Sequence, residues 1–247
     1  MRFLPSKLHH KAKVHTDHSS LPNIFSLLCW NVYKKNKKDP NFTPFLQNLI
    51  NQKTLHLCLF QEAQLDTDNA LLSHCNYDGA ANLEINCTFY GVVTASQTTS
   101  LSAKAYLSES REGLIGSHKS LLLSTYRLSN GEILLILNVH AINFRENRCY
   151  QKELAHLMQK VSTHRGAMII AGDFNAWNRT RNKALHRLCQ ELSLKTVVFE
   201  KSKVTSFMGY ALDFIFYRGL TCLEQEVLTE HHISDHHPLF VKFLSPR

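Results

Sequence analysis

Short apolar runs, each closing on a polar residue, recur along this chain. "IFSLLCWNV", after Pro22, is continuous and brief enough to predict a buried strand, and "LHLCLFQE" predicts a second. Between them "TPFLQNLINQ" shifts to a helical period, with Thr43 as N-cap and Pro44 in the first turn. "TDNALLSHC" predicts another short helix, and "FYGVVTAS" and "AKAYLS" predict strands. In "SLLLSTYRLSNGEILLILNVHAI" two apolar runs flank Asn130-Gly131, a pair that takes positive φ without strain, so the segment predicts a hairpin. A helical period then runs over 146–164 through Tyr150, Leu154, Leu157 and Val161. "AMIIAGDFN" predicts a strand, "RNKALHRLCQELS" a helix, and 195–199 a further strand; "ALDFIFYRG", "TCLEQEVLT" and "PLFVKFL" predict the last three.

No linker, low-complexity tract or short-period repeat divides this pattern. It predicts one α/β domain over 22–247, with paired sheets covered by helices. Residues 1–21 are polar and basic and predict a flexible arm.

Composition narrows the class. Hydrophobic residues are 44% and charged residues 19%, which excludes a disordered chain. The formal charge of +8 suits a polyanionic partner, nucleic acid or an anionic lipid surface, and equally a basic surface kept for solubility. The seven cysteines are scattered with no Cys-x-x-Cys pair, which fits reduced thiols rather than a disulfide framework. The N-terminal stretch lacks the apolar core of a signal peptide, and no run nears the roughly 18 apolar residues of a membrane span. A cytoplasmic protein is therefore expected, with peripheral membrane contact and a non-standard secretion route left open, and no oligomer is predicted.

The polar residues that close the apolar runs carry the chemistry. They are Asn31, Glu62, His140, Asp173 with Asn175, Asp213, and Asp235 with His236. Polar groups at strand ends gather at one rim while the strands pack below. Glu62, Asp235 and the amide oxygen of Asn31 are hard oxygen donors of the kind magnesium accepts. His140 can donate a hydrogen bond to a developing oxyanion. Asp213 can hold the tautomer of His236, and Asp173 and Asn175 can position an attacking water. Within "HHISDHHPLF" a zinc site built on four histidines is the weaker reading, because a hard cation has little use for imidazoles. Lys34 and Lys35, Arg145 and Arg148, and Arg179, with Arg181 and Lys183 beyond it, follow three of these strands. They predict a positive rim for an anionic substrate, against the bland reading of solvated loops. Lys119, Asn143 and Trp177 are further candidate substrate contacts, each with a packing or turn role as its alternative.

In chain order, "CWN", "LFQE", "NVHAIN", "GDFNAW", "LDFIFY" and "SDHHPL" resemble the endonuclease/exonuclease/phosphatase, or deoxyribonuclease-I-like, superfamily over roughly residues 22–244. "WNVYK", "FQEAQ" and "LDFIFYRGL" look closer still to its bacterial YafD-like branch. The resemblance implies a four-layer α/β sandwich, two packed mixed sheets covered by helices. It implies hydrolysis of a phosphoester by in-line attack of water, with Mg2+, or Mn2+ in its place, as cofactor. By the same resemblance Asn31, Glu62 and Asp235 bind the metal, and His140, Asp173, Asn175, Asp213 and His236 are catalytic, with Asp173 or His236 as general base. With the positive charge, nucleic acid is the expected substrate. Alternatives on this fold are a phospholipid or sphingomyelin phosphodiesterase and an inositol-phosphate phosphatase; a non-catalytic binding module ranks below them. Some nucleases of the family support the mid-chain histidine with a further glutamate, and here Glu109 and Glu112 lie in no clear motif for it.

Overall fold

The protein's structure, a computed structural model, describes residues 2–11, 19–36, 38–65, 75–86, 88–111, 116–143 and 146–246. Two strands start the first sheet: β1 (Arg2–Lys11) and β2 (Ile24–Asn31). Helix α1 (Phe42–Lys53) leads to β3 (Leu57–Leu65), which lies parallel to β2, followed by β4 (Asn76–Ile85) and β5 (Thr88–Ser96). The second sheet begins with β6 (Ser102–Arg111), β7 (His118–Arg127) and β8 (Ile133–His140). Helix α2 (Asn147–Val161) crosses to β9 (Met168–Asp173), parallel to β8. Helix α3 (Arg179–Glu191) and β10 (Lys195–Thr196) follow. A small hairpin, β11 (Ser206–Phe207) and β12 (Tyr210–Ala211), precedes β13 (Asp213–Arg218), β14 (Thr221–Val227) and β15 (Leu239–Leu244).

The seven-stranded sheet runs β1-β4-β5-β3-β2-β15-β14, and the six-stranded sheet runs β10-β13-β9-β8-β7-β6. Each holds one parallel pair joined through a helix, because a parallel connection needs a crossover. Side-chain alternation then builds the layers. In β2, Leu27 and Cys29 enter the core between the sheets, while Leu28 and Trp30 pack against Phe42 and Leu46 of α1. In β9, Ile169 and Ala171 face that same central core, and Met168 and Ile170 meet Leu154 of α2 and Leu185 of α3. The result is α1, sheet, sheet, then α2 with α3: the four-layer sandwich.

Two fully buried amides bolt the sheets together. Gln61 Nε2 on β3 donates to Asn138 Oδ1 on β8 at 2.7 Å, and Asn138 Nδ2 donates to the Val93 carbonyl at 2.9 Å. Each buried polar atom thus has a partner, without which it would cost more than it contributes. Gly172 has φ 146°, and a Cβ there would lie 1.9 Å from the Val139 carbonyl oxygen, so only glycine lets β9 approach β8 at this point.

Several sequence expectations shift. Arg2–Lys11, expected as part of a flexible arm, pairs antiparallel with β4, with a register shift between Phe3 and Lys7 around Pro5. Backbone groups on the β4 edge make that pairing, so polar composition gave no sign of it. Helix α1 begins at Phe42 with Asn41 as N-cap, so Pro44 sits two residues inside the first turn and Thr43 is not the cap. The strand expected over 195–199 is regular only at Lys195–Thr196. The helix expected in "TDNALLSHC" lies outside the described residues except for Cys75. The six described cysteines are free thiols, and no helix among the described residues is long and apolar enough to cross a membrane.

Candidate active site

The same alternation that fills the central core also assembles the site. Inward positions on β2, β8, β9 and β13 run through Cys29, Ile136, Ala171 and Ile215, all in the inter-sheet cluster. Extended to the strand ends, those faces carry Asn31, His140, Asp173 and Asp213. These residues therefore meet where the gap between the sheets opens, at the carboxyl ends of both parallel pairs. His140 is directly opposite Asp173, and Asp173 opposite Asp213.

Glu62 needs a different device. Phe60 faces outward into the α1 layer and Gln61 inward, so simple alternation would send Glu62 outward. Instead β3 bulges: the β3–β5 register shifts between Phe60 and Ala63, and Glu62 takes φ 50°. A bulge re-aims one side chain at the cost of local strain, and here it turns the carboxylate onto the cleft.

A cleft of about 520 Å³ opens over this point. Asn31, Glu62, Asp235, His140, Asp173, Asn175 and His236 all line it. Asp213 sits behind His236, with Nδ1 of the imidazole 2.7 Å from Asp213 Oδ2. Asn31 Nδ2 donates to Asp173 Oδ2 at 3.0 Å, while Asn31 Oδ1 accepts from the Tyr33 N–H. The other oxygen of Asp173 accepts from the Asn175 N–H at 2.9 Å. Asn175, itself at φ 48°, donates its side-chain amide to the Ala141 carbonyl. Ser234 Oγ donates to the Asn31 carbonyl and accepts from the His236 N–H, and Trp30 Nε1 donates to the His236 carbonyl. The final loop is thereby fixed to β2.

The charges are strongly perturbed. Burial disfavours the charged imidazole of His236, but the adjoining Asp213 outweighs it and carries the group up to about 10, so it is an imidazolium at neutral pH. Burial and the charge of Asp213 push the Asp173 carboxyl up to about 7. Burial would raise Glu62 as well, yet His140, Lys119 and Lys34 bring it down to about 2. Lys34 Nζ lies 2.7 Å from one Glu62 oxygen; Lys119 Nζ at 4.0 Å and His140 Nε2 at 3.6 Å face the other. Burial first, then Lys119, hold His140 well below its ordinary value, against the pull of Glu62.

The substrate-side expectations divide. Lys34, Lys119, Asn143 and Trp177 line the cleft. Lys35, Arg148 and Arg179 do not, and Arg148 and Arg179 are exposed in the first turns of α2 and α3. Arg145 lies outside the described residues. Arg181, expected on the basic rim, is fully buried. Its guanidinium donates to the carbonyls of Ile142 and Asn175 at 3.1 and 2.8 Å and to that of Asn143 at 2.6 Å. It also lies over the Tyr150 and Trp177 rings, at 4.4 and 4.7 Å. It ties the loops after β8 and β9 to each other. Its place one turn into α3, below the Asn178 cap that accepts from the Arg181 N–H, turns it inward. Sequence reasoning also passed over Ser234 and over Tyr33, Phe207 and Leu212 in the cleft wall.

As for metal donors, Asp173, Asp213 and His236 present ligand atoms within 4.8 Å of one another. Glu62, Asp173 and Asp235 line the cleft, and these carboxylate oxygens fit a hard divalent cation.

Two packed mixed sheets with paired acids and imidazoles at their open end define a phosphoric ester hydrolase of the deoxyribonuclease-I-like fold. The chain belongs to the endonuclease/exonuclease/phosphatase family, whose model matches residues 28–236. It is 35% identical over 221 residues to a UPF0294 protein of Erwinia tasmaniensis, covering 88% of this chain and 80% of that one, which places it in the YafD-like bacterial branch. Among solved structures it resembles a family protein from Leptotrichia buccalis, with TM-score 0.66, 17% identity, and 89% and 99% of the two chains covered. It also resembles D. rerio TDP2 complexed with single strand DNA product, with TM-score 0.65, 14% identity, and 89% and 98% covered. These two likenesses concern the fold.

Proposed function

We propose that this protein is a magnesium-dependent phosphodiesterase that hydrolyses nucleic acid by in-line attack of water, without a covalent intermediate. The observation that carries this reading is that Glu62, Asp173, Asp235 and His236 line one cleft, with Asp213 bonded behind His236. A solved relative by fold, D. rerio TDP2, holds a single-strand DNA product, which supports the substrate class.

Glu62 and Asp235, with Asn31, would hold the metal. When bound, Mg2+ or Mn2+ polarises a phosphoryl oxygen and offsets charge on the leaving oxygen. Asp173 takes the proton of the attacking water: both its oxygens are oriented, by Asn31 and by the Asn175 N–H, and its carboxyl titrates near neutral pH. Asn175, its amide plane set by Ala141, orients that water. His236 keeps Nδ1 on Asp213 and turns its remaining N–H to the phosphoryl group, which it stabilises as an imidazolium. His140 donates a hydrogen bond to the same developing charge, and Lys34 and Lys119 attract the phosphate.

The test is hydrolysis of plasmid DNA, short RNA, an abasic duplex, sphingomyelin and inositol phosphates, each with magnesium or with chelator. Metal-dependent cleavage of a nucleic acid is expected, lost in both Glu62→Gln and His236→Ala. Cleavage that persists in chelator, or survives both substitutions, would overturn the assignment. Turnover of the lipid or inositol phosphate alone would overturn the substrate class.

A further inference from the structure

One wall of the cleft is aromatic and belongs to none of the acid–base machinery. Phe207 closes strand β11, and Phe207 pairs with Tyr210, leaving a two-residue turn of Met208 and Gly209 at φ 53° and 80°. Both central residues at positive φ make the tight hairpin turn that matches strand twist. Phe207 is 55% exposed and Met208 73% exposed, so folding does not bury them. Phe207 nevertheless lines the cleft, edge-on to Trp177 with ring centroids 6.5 Å apart. Tyr33, 52% exposed, is the other exposed aromatic ring of the lining.

The hairpin is held rigidly to the reacting groups. Leu212 N–H donates to the Thr205 carbonyl across the stem, and Phe174 N–H, between Asp173 and Asn175, donates to the Leu212 carbonyl at 2.8 Å. On the other side His237 N–H donates to Thr205 Oγ1 at 2.9 Å, next to His236. Asp213 follows the hairpin directly in the chain. A ring placed by these bonds has a set position relative to Asp173 and His236. Exposed aromatic surface fixed beside phosphate chemistry is suited to a flat apolar group that flanks the phosphate.

We propose that Phe207, backed by Trp177, stacks on an unpaired nucleobase next to the scissile phosphate, which makes the preferred substrate a single or locally opened strand. This rests on the nucleic-acid reading above. A base inside a duplex has both faces covered by its neighbours, whereas an unpaired base offers a face to an aromatic ring. Membrane insertion is the competing use of an exposed apolar tip. It is disfavoured because the Phe207 ring lines the cleft and Met208 alone remains at the apex, too little apolar surface to hold a lipid bilayer.

The test compares a short oligothymidylate, the same strand in a duplex, and an oligomer of equal length made of base-free sugar phosphates. Wild type should show kcat/KM roughly tenfold higher on the oligothymidylate than on either of the others. In Phe207→Ala that preference should fall to within about twofold, chiefly through KM, and Phe207→Trp should retain it. Thermal unfolding of each variant checks that the exposed substitution leaves the fold intact. If nucleic acid is cleaved but the preference is unchanged in Phe207→Ala, or the duplex is preferred, this inference fails and the nuclease reading stands. If none of the three is cleaved while another nucleic acid is, this inference alone fails; if no nucleic acid is cleaved, both fail. Sedimentation with phosphatidylglycerol vesicles that is abolished by Phe207→Ala or Met208→Ser would instead make the hairpin a membrane anchor and overturn the proposal.

Discussion

Asn31 and Asp173 end strands in different sheets, and a 3.0 Å hydrogen bond from the Asn31 amide to the Asp173 carboxylate joins them across the mouth of the inter-sheet gap. The bond couples the packing of the sandwich to the charge of its proposed base. It favours the ionised carboxylate, opposing the burial that lifts Asp173 to about 7. With the carboxyl titrating there, kcat/KM should rise with pH through about 7. Asn31→Ala removes a donor to the ionised form, so the carboxyl titrates higher still. The acid limb of the kcat/KM profile should move to higher pH, and kcat at neutral pH should fall about tenfold or more.

The His236–Asp213 pair makes a second prediction through stability. His236 is raised in the folded protein to about 10 from an ordinary value near 6.5, so folding favours its proton. Its contribution is fully present below about pH 6.5 and is lost as pH rises through about 10. Asp213→Asn removes the partner. The stability gap between wild type and variant, measured by urea unfolding, should be larger near pH 6 than above pH 10, and activity should fall by about two orders of magnitude.

Glu62 has the opposite sign. Its carboxyl is lowered to about 2, so its contribution to stability is present above the ordinary carboxyl value near 4.3 and is lost as pH falls through about 2. Glu62→Gln should flatten the acid end of the stability curve. It should also weaken magnesium binding about tenfold or more in calorimetric titration, independently of turnover.

Arg181 is expected to be intolerant of every replacement. It satisfies three loop carbonyls and fills the space between Tyr150 and Trp177. Arg181→Met should cost about 3 kcal/mol in chemical unfolding, because those carbonyls lose their partners while buried. Arg181→Lys should not restore kcat, since a point charge cannot reproduce a planar fork stacked on two rings.

Most strands and the three helices among the described residues were legible in the chain, because burial on two faces leaves a continuous apolar run and burial on one leaves a period. The strand-end polar residues were legible because Asn31, His140, Asp173 and Asp213 stand where the apolar runs end or begin; that they continue the inward face of their strands came from the packing. Glu62 was found by its motif, but its orientation depends on a bulge that periodicity does not reveal. Arg181 was read as a surface cation, since a basic residue in a basic segment gives no sign that three distant carbonyls will receive it. The β1–β4 pairing was missed because it is made by backbone groups, which every sequence supplies equally.

By itself, then, the sequence determined which residues alternate into a core, where each strand runs out, and which acids, amides and imidazoles stand at those ends. Only the tertiary structure decided which of those ends meet. Two sheets packed face to face bring Asn31 to Asp173 and His236 to Asp213 over 142 and 23 positions of chain. The same packing removes the water that would otherwise leave the Asp173 carboxyl ordinary. Spacing along a strand is a local property of the chain; charge state and mutual distance depend on what the fold buries beside it.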